Sequence, residues 1–286
     1  MRRTPRPFEK GGKGAGVSIT RGVYTTVTVE PAGNPSHVIR INGRITAKAP
    51  VSEGVLNHLT AKLKEAYRIV VEHRVEIPIG AGFSSSGAGA LSLALALNEA
   101  LNLGLSRLEA AQVAHVAEIE CRTGLGSVLA CFTGGVGITV DPGAPGIGRP
   151  LRFHHRGLSV VYLHLGPIPT PGILSDPDLR RRINELGGRL VDELHRDWSP
   201  QRFMELSRRF AEHLGLITPR LRKILERVDE EGLLCTMAML GETLFALVEH
   251  GEAERLAQLL EEASGRRATV AGVDGEGARV IPSNGG

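Results

Sequence analysis

Residues 78–102 read PIGAGFSSSGAGALSLALALNEALN; positions 80–89 hold four glycines and three consecutive serines, ahead of an almost wholly apolar helical run. Glycine lets the backbone take positive φ and come close to a ligand. The start of the helix adds unpaired N–H donors and a partial positive charge. Together they make a site for an anion, above all a phosphate. The hydroxyls of Ser84, Ser85 and Ser86 add donors and a group able to ligate magnesium. A tight turn that only packs a strand against a helix uses the same residue types. The Walker pattern G-x-x-x-x-G-K-[ST] does not occur in the chain.

Two further clusters could do chemistry. His115, Glu118 and Arg122 fall at i, i+3 and i+7 on a helical stretch rich in Ala, Val and Ile, and so share one face. That spacing also suits a solvated stripe. The glycine-rich turn Thr123–Ser127 follows, and a carboxylate beside such a turn can hold magnesium while the histidine meets an acidic substrate. The second cluster is GGKGAG, residues 11–16, readable as a hairpin turn or as a loop that brings Lys13 to a substrate.

The elements around these residues alternate in type. Strand signals cover 17–30, 36–48 and the RVEIPIG stretch; helical spacing covers 57–73, 87–102 and, from the capping box Ser106-x-x-Glu109, 106–122. Residues 124–140 read as a turn, a short helix and a strand. The Pro/Gly stretch 141–150 reads as a linker or exposed loop. Beyond it come a strand (LSVVYLHLG), helices near 176–196, 200–214 and 219–230, a strand or helix (TLFALVEHG), a helix over 252–264 and a terminal hairpin in ATVAGVDGEGARVI. This order predicts two α+β lobes with a cleft between them.

Composition narrows the functional classes. A net charge of +3 over 286 residues, with no dense basic run carrying aromatics, does not indicate nucleic-acid binding. The arginines at 180–182 read as a solvated helix face. No stretch of 18 uncharged apolar residues occurs, because Asn98 and Glu99 interrupt the best candidate, so no membrane partner is expected. Three widely spaced cysteines suit a reducing cytoplasm. The histidines form no H-E-x-x-H pattern, and the pair His154, His155 alternates faces, so no metal site is expected there.

Pro78 to Leu91, of the form P-x-G-x-G-F-x-x-S-G-A-G-A-L, resembles the second motif of the GHMP small-molecule kinases, commonly P-x-x-x-G-L-G-S-S-A. GGKGAGV (11–17), AHVAEIECRTGLGSV (114–128), TGG (133–135), DPGAPGIG (141–148) and CTMAMLGETLFAL (235–247) follow the same order as in that family's archaeal pantoate kinase branch. The resemblance implies an α+β, two-lobed fold: an N-terminal lobe like ribosomal protein S5 domain 2 over 1–150, and a ferredoxin-like C-terminal lobe over 151–286. It implies ATP bound between the lobes, its phosphates cradled by Gly80, Gly82, Phe83, Ser84, Ser85 and Gly87, with Gly241 and its neighbours Met239 and Leu240 closing over them. Ser86 and Glu118 would hold Mg2+, and Lys13 and His115 would contact pantoate. The product would be 4-phosphopantoate, on the way to coenzyme A, made by a cytoplasmic enzyme that could be a homodimer.

The pattern is departed from at four places. Ser127 stands where the family usually carries the Asp that serves as catalytic base, Gly12 where it has Ser, and Thr139 where it has a substrate-binding Arg. The opening P-G-H-x-T-x-F-F motif is not found, implying a lobe without its first strand or a start inside the gene. A GHMP kinase for another small hydroxylated metabolite, or a non-catalytic binding relative, is the alternative.

Overall fold

The computed structural model describes residues 6–154, 156–167, 176–239 and 241–282. Its first half is a four-stranded sheet of order β2-β5-β3-β4: β2 (Val23–Pro31), β5 (Tyr67–Val75), β3 (Ser36–Ile41) and β4 (Arg44–Ile45). β5 runs antiparallel to β2 and parallel to β3. Helices α1 (Pro50–Thr60), α2 (Ser85–Ala100) and α3 (Arg107–Cys121) pack together beneath it. Their core is Val55, Leu56, Leu91, Leu93, Leu97 and a row of α3 alanines. Nine α2 residues are buried, which explains why its sequence shows so little amphipathic contrast.

The second half is an antiparallel sheet of order β11-β8-β10-β9: β8 (Leu158–Gly166), β9 (Thr236–Met237), β10 (Glu242–Glu249) and β11 (Thr269–Gly272). Helices α5 (Pro177–Arg196), α6 (Pro200–Leu214), α7 (Pro219–Glu230) and α8 (His250–Ser264) surround it. A third sheet joins the halves: β1 (Gly14–Val17), β6 (Val136–Asp141) and β7 (Arg149–Phe153), with the short helix α4 (Ser127–Thr133) leading into β6. Val136, Ile138 and Val140 of β6 enter the second core although they belong to the first half in sequence. No helix among the described residues is long and apolar enough to cross a membrane.

Several expectations are corrected. The helix expected over 57–73 is the end of α1 and most of β5; charged Lys62–Glu65 separates them, and the run from Tyr67 to Val75, rich in β-branched residues, is strand. The strand over 36–48 is broken by Asn42 and Gly43, both at positive φ, into the hairpin β3–β4. β5 ends at Val75, so IPIG is loop. The Pro/Gly stretch after β6 is no exposed linker: Ala144 is fully buried, its N–H donates to the Phe8 carbonyl at 2.9 Å, and Gln112 donates to the Pro145 carbonyl at 2.9 Å. The C-terminal hairpin is the single strand β11; the chain then returns to the first half, where Gly135 N–H donates to Asp274 O and Ala278 N–H to Cys131 O. Within GGKGAG, Gly14–Gly16 begin the strand β1, which pairs with β6; among the described residues no strand precedes it. TLFALVEHG is strand to Glu249. Of the three arginines, Arg182 is half-buried on the His213 carbonyl, so the cluster is not wholly a solvated face. His155, Leu240 and residues 168–175 lie outside the described residues.

Under the first sheet, His73 of β5 is 3% exposed and joins Thr25, Ser92 and Ser52 in one chain of hydrogen bonds: Thr25 Oγ1 to Nδ1 at 2.8 Å, Ser52 Oγ to Nε2 at 3.1 Å. Burial lowers its pKa from 6.5 to about 4, so the folded protein holds it neutral. The unfolded chain therefore binds the extra proton first. This stability contribution is complete above the unfolded value and is lost as pH falls from there toward the folded one, by about 2 kcal/mol between pH of about 7.5 and about 5. Denaturant titrations at the two pH values should show that loss, and His73→Gln should flatten it. Equal slopes in both proteins would refute a neutral His73.

Candidate active site

The loop between β5 and α2 turns through three residues at positive φ: Gly80 at 77°, Gly82 at 81° and Ser84 at 54°. Ser84 is the N-cap of α2 and makes no side-chain cap bond, so the first-turn N–H groups of the helix are left for another acceptor. Alternating left-handed residues at a helix start form a concave nest of donors. Gly82, Phe83, Ser84, Ser85 and Ser86 line the cleft between the lobes.

Behind the nest lies Glu118, 1% exposed. Ser86 Oγ donates to its Oε1 at 2.8 Å and Thr123 Oγ1 at 3.3 Å, and Ser127 adds a third hydroxyl. Burial pushes the carboxyl pKa up, and the three hydroxyls pull against it. Among the described residues no Lys or Arg pairs with it. The pocket requires glycine on two sides: a Cβ at Gly87 would lie 2.8 Å from Glu118 Oε2, and one at Gly124 2.7 Å from it. The solvated stripe read from the i, i+3, i+7 spacing is therefore a buried acid and a buried base. Only Arg122, at φ 55° on the C-cap of α3, is exposed.

His115 is 2% exposed, and its Nε2 lies 3.0 Å from the Lys10 carbonyl. Burial lowers its pKa, while the backbone carbonyls of Pro7 and Lys10 pull the other way. It does not line the cleft; it anchors the segment before Lys13. Gly12 N–H donates to the Leu125 carbonyl at 3.0 Å, tying the same segment to the turn that carries Ser127. Lys13 lines the cleft and reaches Asp192 of α5 at 3.4 Å, a contact that pattern-reading missed because the partners are 179 residues apart. Thr123 was legible only as part of the TGLGS turn.

The second half closes on the loop directly. A Cβ at Gly82 would meet Met239 O at 2.5 Å, and one at Gly241 would meet the Ala81 carbonyl carbon at 2.1 Å. Phe83 packs edge-on against Tyr162 of β8, ring centres 4.8 Å apart. Gly241 thus acts by close backbone approach, the role only glycine can fill.

Residues 50–135 match the family described as GHMP kinases N terminal domain, and residues 178–264 match GHMP kinases C terminal. A pantoate kinase of Thermococcus kodakarensis is 35% identical over 264 residues, covering 90% of this chain and 85% of the relative. The chain belongs to the GHMP kinase family. A second relative, the pantoate kinase of Methanospirillum hungatei, is 32% identical over 249 residues, covering 86% of this chain and 82% of that one. A solved structure described as a phosphotransferase related to the CoA biosynthesis pathway matches with a TM-score of 0.88 at 32% identity, covering 99% of this chain and 94% of that one. The two-lobed GHMP kinase fold expected from the motifs is thus the fold of the chain.

The contact between Gly82 and Met239 decides what a substitution there does. If the nest holds nucleotide phosphates, Gly82→Val should abolish nucleotide binding; it should also lower the melting temperature, because the branched side chain strikes the backbone of the other lobe at Met239, at about 1–3 kcal/mol for the overpacking. Unchanged nucleotide affinity in a calorimetric titration would remove the loop from the binding site.

Proposed function

We propose that the chain transfers a phosphoryl group from ATP to the primary hydroxyl of pantoate, a step toward coenzyme A. The single observation that carries this is the buried Glu118 with its three hydroxyls, set against the glycine nest of α2 in a chain whose relatives over 86–90% of its length are named pantoate kinases. GHMP kinases are small-molecule kinases, and this chain is one of them.

Each part of the site fits a role. Gly80, Gly82, Phe83, Ser84, Ser85 and Gly87 form the cradle for the nucleotide phosphates, with Gly241 closing it from the other lobe. A buried carboxylate with no cationic partner among the described residues, beside the Ser86 hydroxyl that donates to it, suits Mg2+, which binds through one or two carboxylates and keeps water and phosphate oxygens as its other ligands. Glu118 and Ser86 would hold it. When bound, the ion supplies charge neutralisation on the phosphates. Lys13 faces the cleft as the cation for an acidic substrate; Asp192 fixes its direction. His115 acts one step back, as a positioning residue that holds the segment before Lys13. Ser127 completes the hydroxyl ring of Glu118, and its position at the start of α4 faces the same cleft. Phosphoryl transfer depends chiefly on positioning and charge neutralisation, so a serine there is compatible with turnover.

Coupled measurement of ADP release, with and without pantoate, tests the reading: release should depend on pantoate. Background release in both arms, with nucleotide still bound, would make the chain a binding protein; release with another hydroxy acid only would reassign the substrate. Glu118→Gln should lose most turnover and weaken binding of Mg·ATP more than of metal-free ATP. Equal metal dependence in variant and parent would leave Glu118 a structural residue.

Ser127→Asp gives a sharper outcome than a gain in rate alone. The new carboxylate would stand beside Glu118, since a Cβ at Gly124 would lie 2.8 Å from Ser127 Oγ and 2.7 Å from Glu118 Oε2. The variant should be less stable than the parent without magnesium, because like charges share a buried site, and should recover when magnesium is added. Turnover with pantoate should rise, in kcat more than in KM, by up to the ~10²–10⁴ that a general base supplies. Melting curves with and without magnesium read the first effect, steady-state ADP release the second.

A further inference from the structure

The second lobe brings one acidic side chain to the segment that carries Lys13. Asp192 lies in the next-to-last turn of α5, and its Oδ1 accepts from Lys13 Nζ at 3.4 Å. That is long for a charge-assisted bond, and the two side chains stay open to water, 37% and 54% exposed. Among the described residues neither has another ion-pair partner. Arg196, one turn on, donates to the Asp192 main-chain carbonyl and leaves the carboxylate alone. An ammonium carries three donors and a carboxylate two accepting oxygens. The pair therefore presents spare donors on Lys13 beside a spare acceptor, Oδ2 of Asp192.

The surroundings place this pair next to the buried acid. A Cβ at Gly126 would lie 3.8 Å from the Gly12 carbonyl oxygen, so residue 12 rests on the turn that brings Ser127 to Glu118. Gly14 pairs with Thr139 across the β1–β6 ladder, so the neighbouring strand brings a hydroxyl there and no charge. On α5, Gly188 stands one turn before Asp192 on the same face. It lines the cleft, and a Cβ there would meet nothing within 4 Å. A cation and an acid thus stand side by side at the edge of open space, close to the turn around Glu118.

We propose that Asp192 is a specificity-determining residue, which together with Lys13 reads the carboxylate and the adjacent hydroxyl of a 2-hydroxy acid as one unit. This rests on the pantoate reading above. Lys13 would donate to the carboxylate of the acid, and Asp192 Oδ2 would accept from its 2-hydroxyl. The selectivity comes from Asp192, because an ionised carboxylate only accepts. A 2-hydroxyl satisfies it by donating. A 2-oxo group would turn lone pairs toward lone pairs, and a 2-deoxy acid would desolvate the oxygen without giving it a donor. A second carboxylate at that carbon would be repelled as a like charge. Lysine alone would take all of these acids alike, being a point charge on a flexible stem.

Three acids that share the primary hydroxyl and the carbon skeleton test this: pantoate, its 2-oxo analogue and its 2-deoxy analogue. Steady-state ADP release gives kcat/KM for each. The parent should prefer pantoate over both by about 10- to 100-fold, the worth of one hydrogen bond to a charged group. Asp192→Asn offers an amide N–H and should bring the 2-oxo acid level with pantoate. Asp192→Ala should bring the 2-deoxy acid level with it. Both changes should fall on KM more than on kcat, since the contact is made away from the reacting hydroxyl. Asp192 is exposed, so the melting temperature should stay that of the parent. If Asp192 only orients Lys13, each variant loses the same factor on all three acids; such unchanged ratios would overturn the proposal, as would a parent that does not discriminate. A parent that turns over none of the three acids overturns the pantoate reading and this inference with it, whereas turnover of pantoate with unchanged ratios overturns this inference alone.

Discussion

A carboxylate buried without a cation sets the terms for the centre of this molecule. Glu118 is 1% exposed, and its described partners are hydroxyls and a neutral surround. Burying a charge costs several kcal/mol unless other groups compensate. Three hydroxyls do so in part, and burial still holds the pKa above the ordinary value. The surrounding sequence is arranged to tolerate this. Gly87 and Gly124 leave the room, the α3 alanines allow close packing, and the Thr123–Ser127 turn folds back onto the acid from one turn beyond. A Cβ at Gly87 would meet Ser127 Cβ at 2.5 Å and one at Gly124 would meet Glu118 Oε2 at 2.7 Å, so an alanine at either glycine forces its neighbours to shift.

From that acid the construction spreads to both lobes. Ser86 links it to the first turn of α2 and so to the glycine nest. Ser127 links it to α4, whose exit leads into β6 and the second hydrophobic core. The nest in turn is held from the far side by Met239, Gly241 and Tyr162. His115 extends the same arrangement to the N-terminal segment, where Gly12 and Lys13 sit between the α3–α4 turn and Asp192. The cleft is a surface on which five segments meet, and no one lobe builds it. This explains why the third sheet has strands from both ends of the first half and why the C-terminal segment returns to Gly135 and Cys131.

What could be read from sequence divides along physical lines. Helices α5, α6 and α7 were legible almost to the residue because each begins with a side-chain cap followed by proline: Asp176-Pro177, Ser199-Pro200 and Thr218-Pro219. Local signals of that kind need no knowledge of the tertiary structure. The Gly/Ser preamble of α2 was legible for the same reason, since positive φ and a helix start are local properties. The α1–β5 boundary was not, because apolar residues at helical spacing continued by chance across the charged break into a strand. The spacing of His115 and Glu118 placed them on one face, but whether that face met water or a neighbour depends on α2 and the N-terminal segment, which lie far off in sequence. The same applies to Lys13 with Asp192 and to Gly241 with Ala81. Residue types told which groups could act; only the fold told which of them were brought together.

Ser127 is the residue at which these two kinds of information bear on each other. By motif alone it is a loss, a hydroxyl in place of a carboxylate. In its surroundings it is a third donor to an acid that already stretches what burial allows, and a second carboxylate there would raise the cost of the site in the absence of a cation. The substitution therefore shifts the site toward stability of the empty form and away from proton abstraction. Such a shift is affordable in a phosphoryl-transfer enzyme, where the larger part of the acceleration comes from placing donor and acceptor and from neutralising charge. On the proposed reading, the nest of α2, the acid behind it and the lysine held across the cleft would perform those tasks.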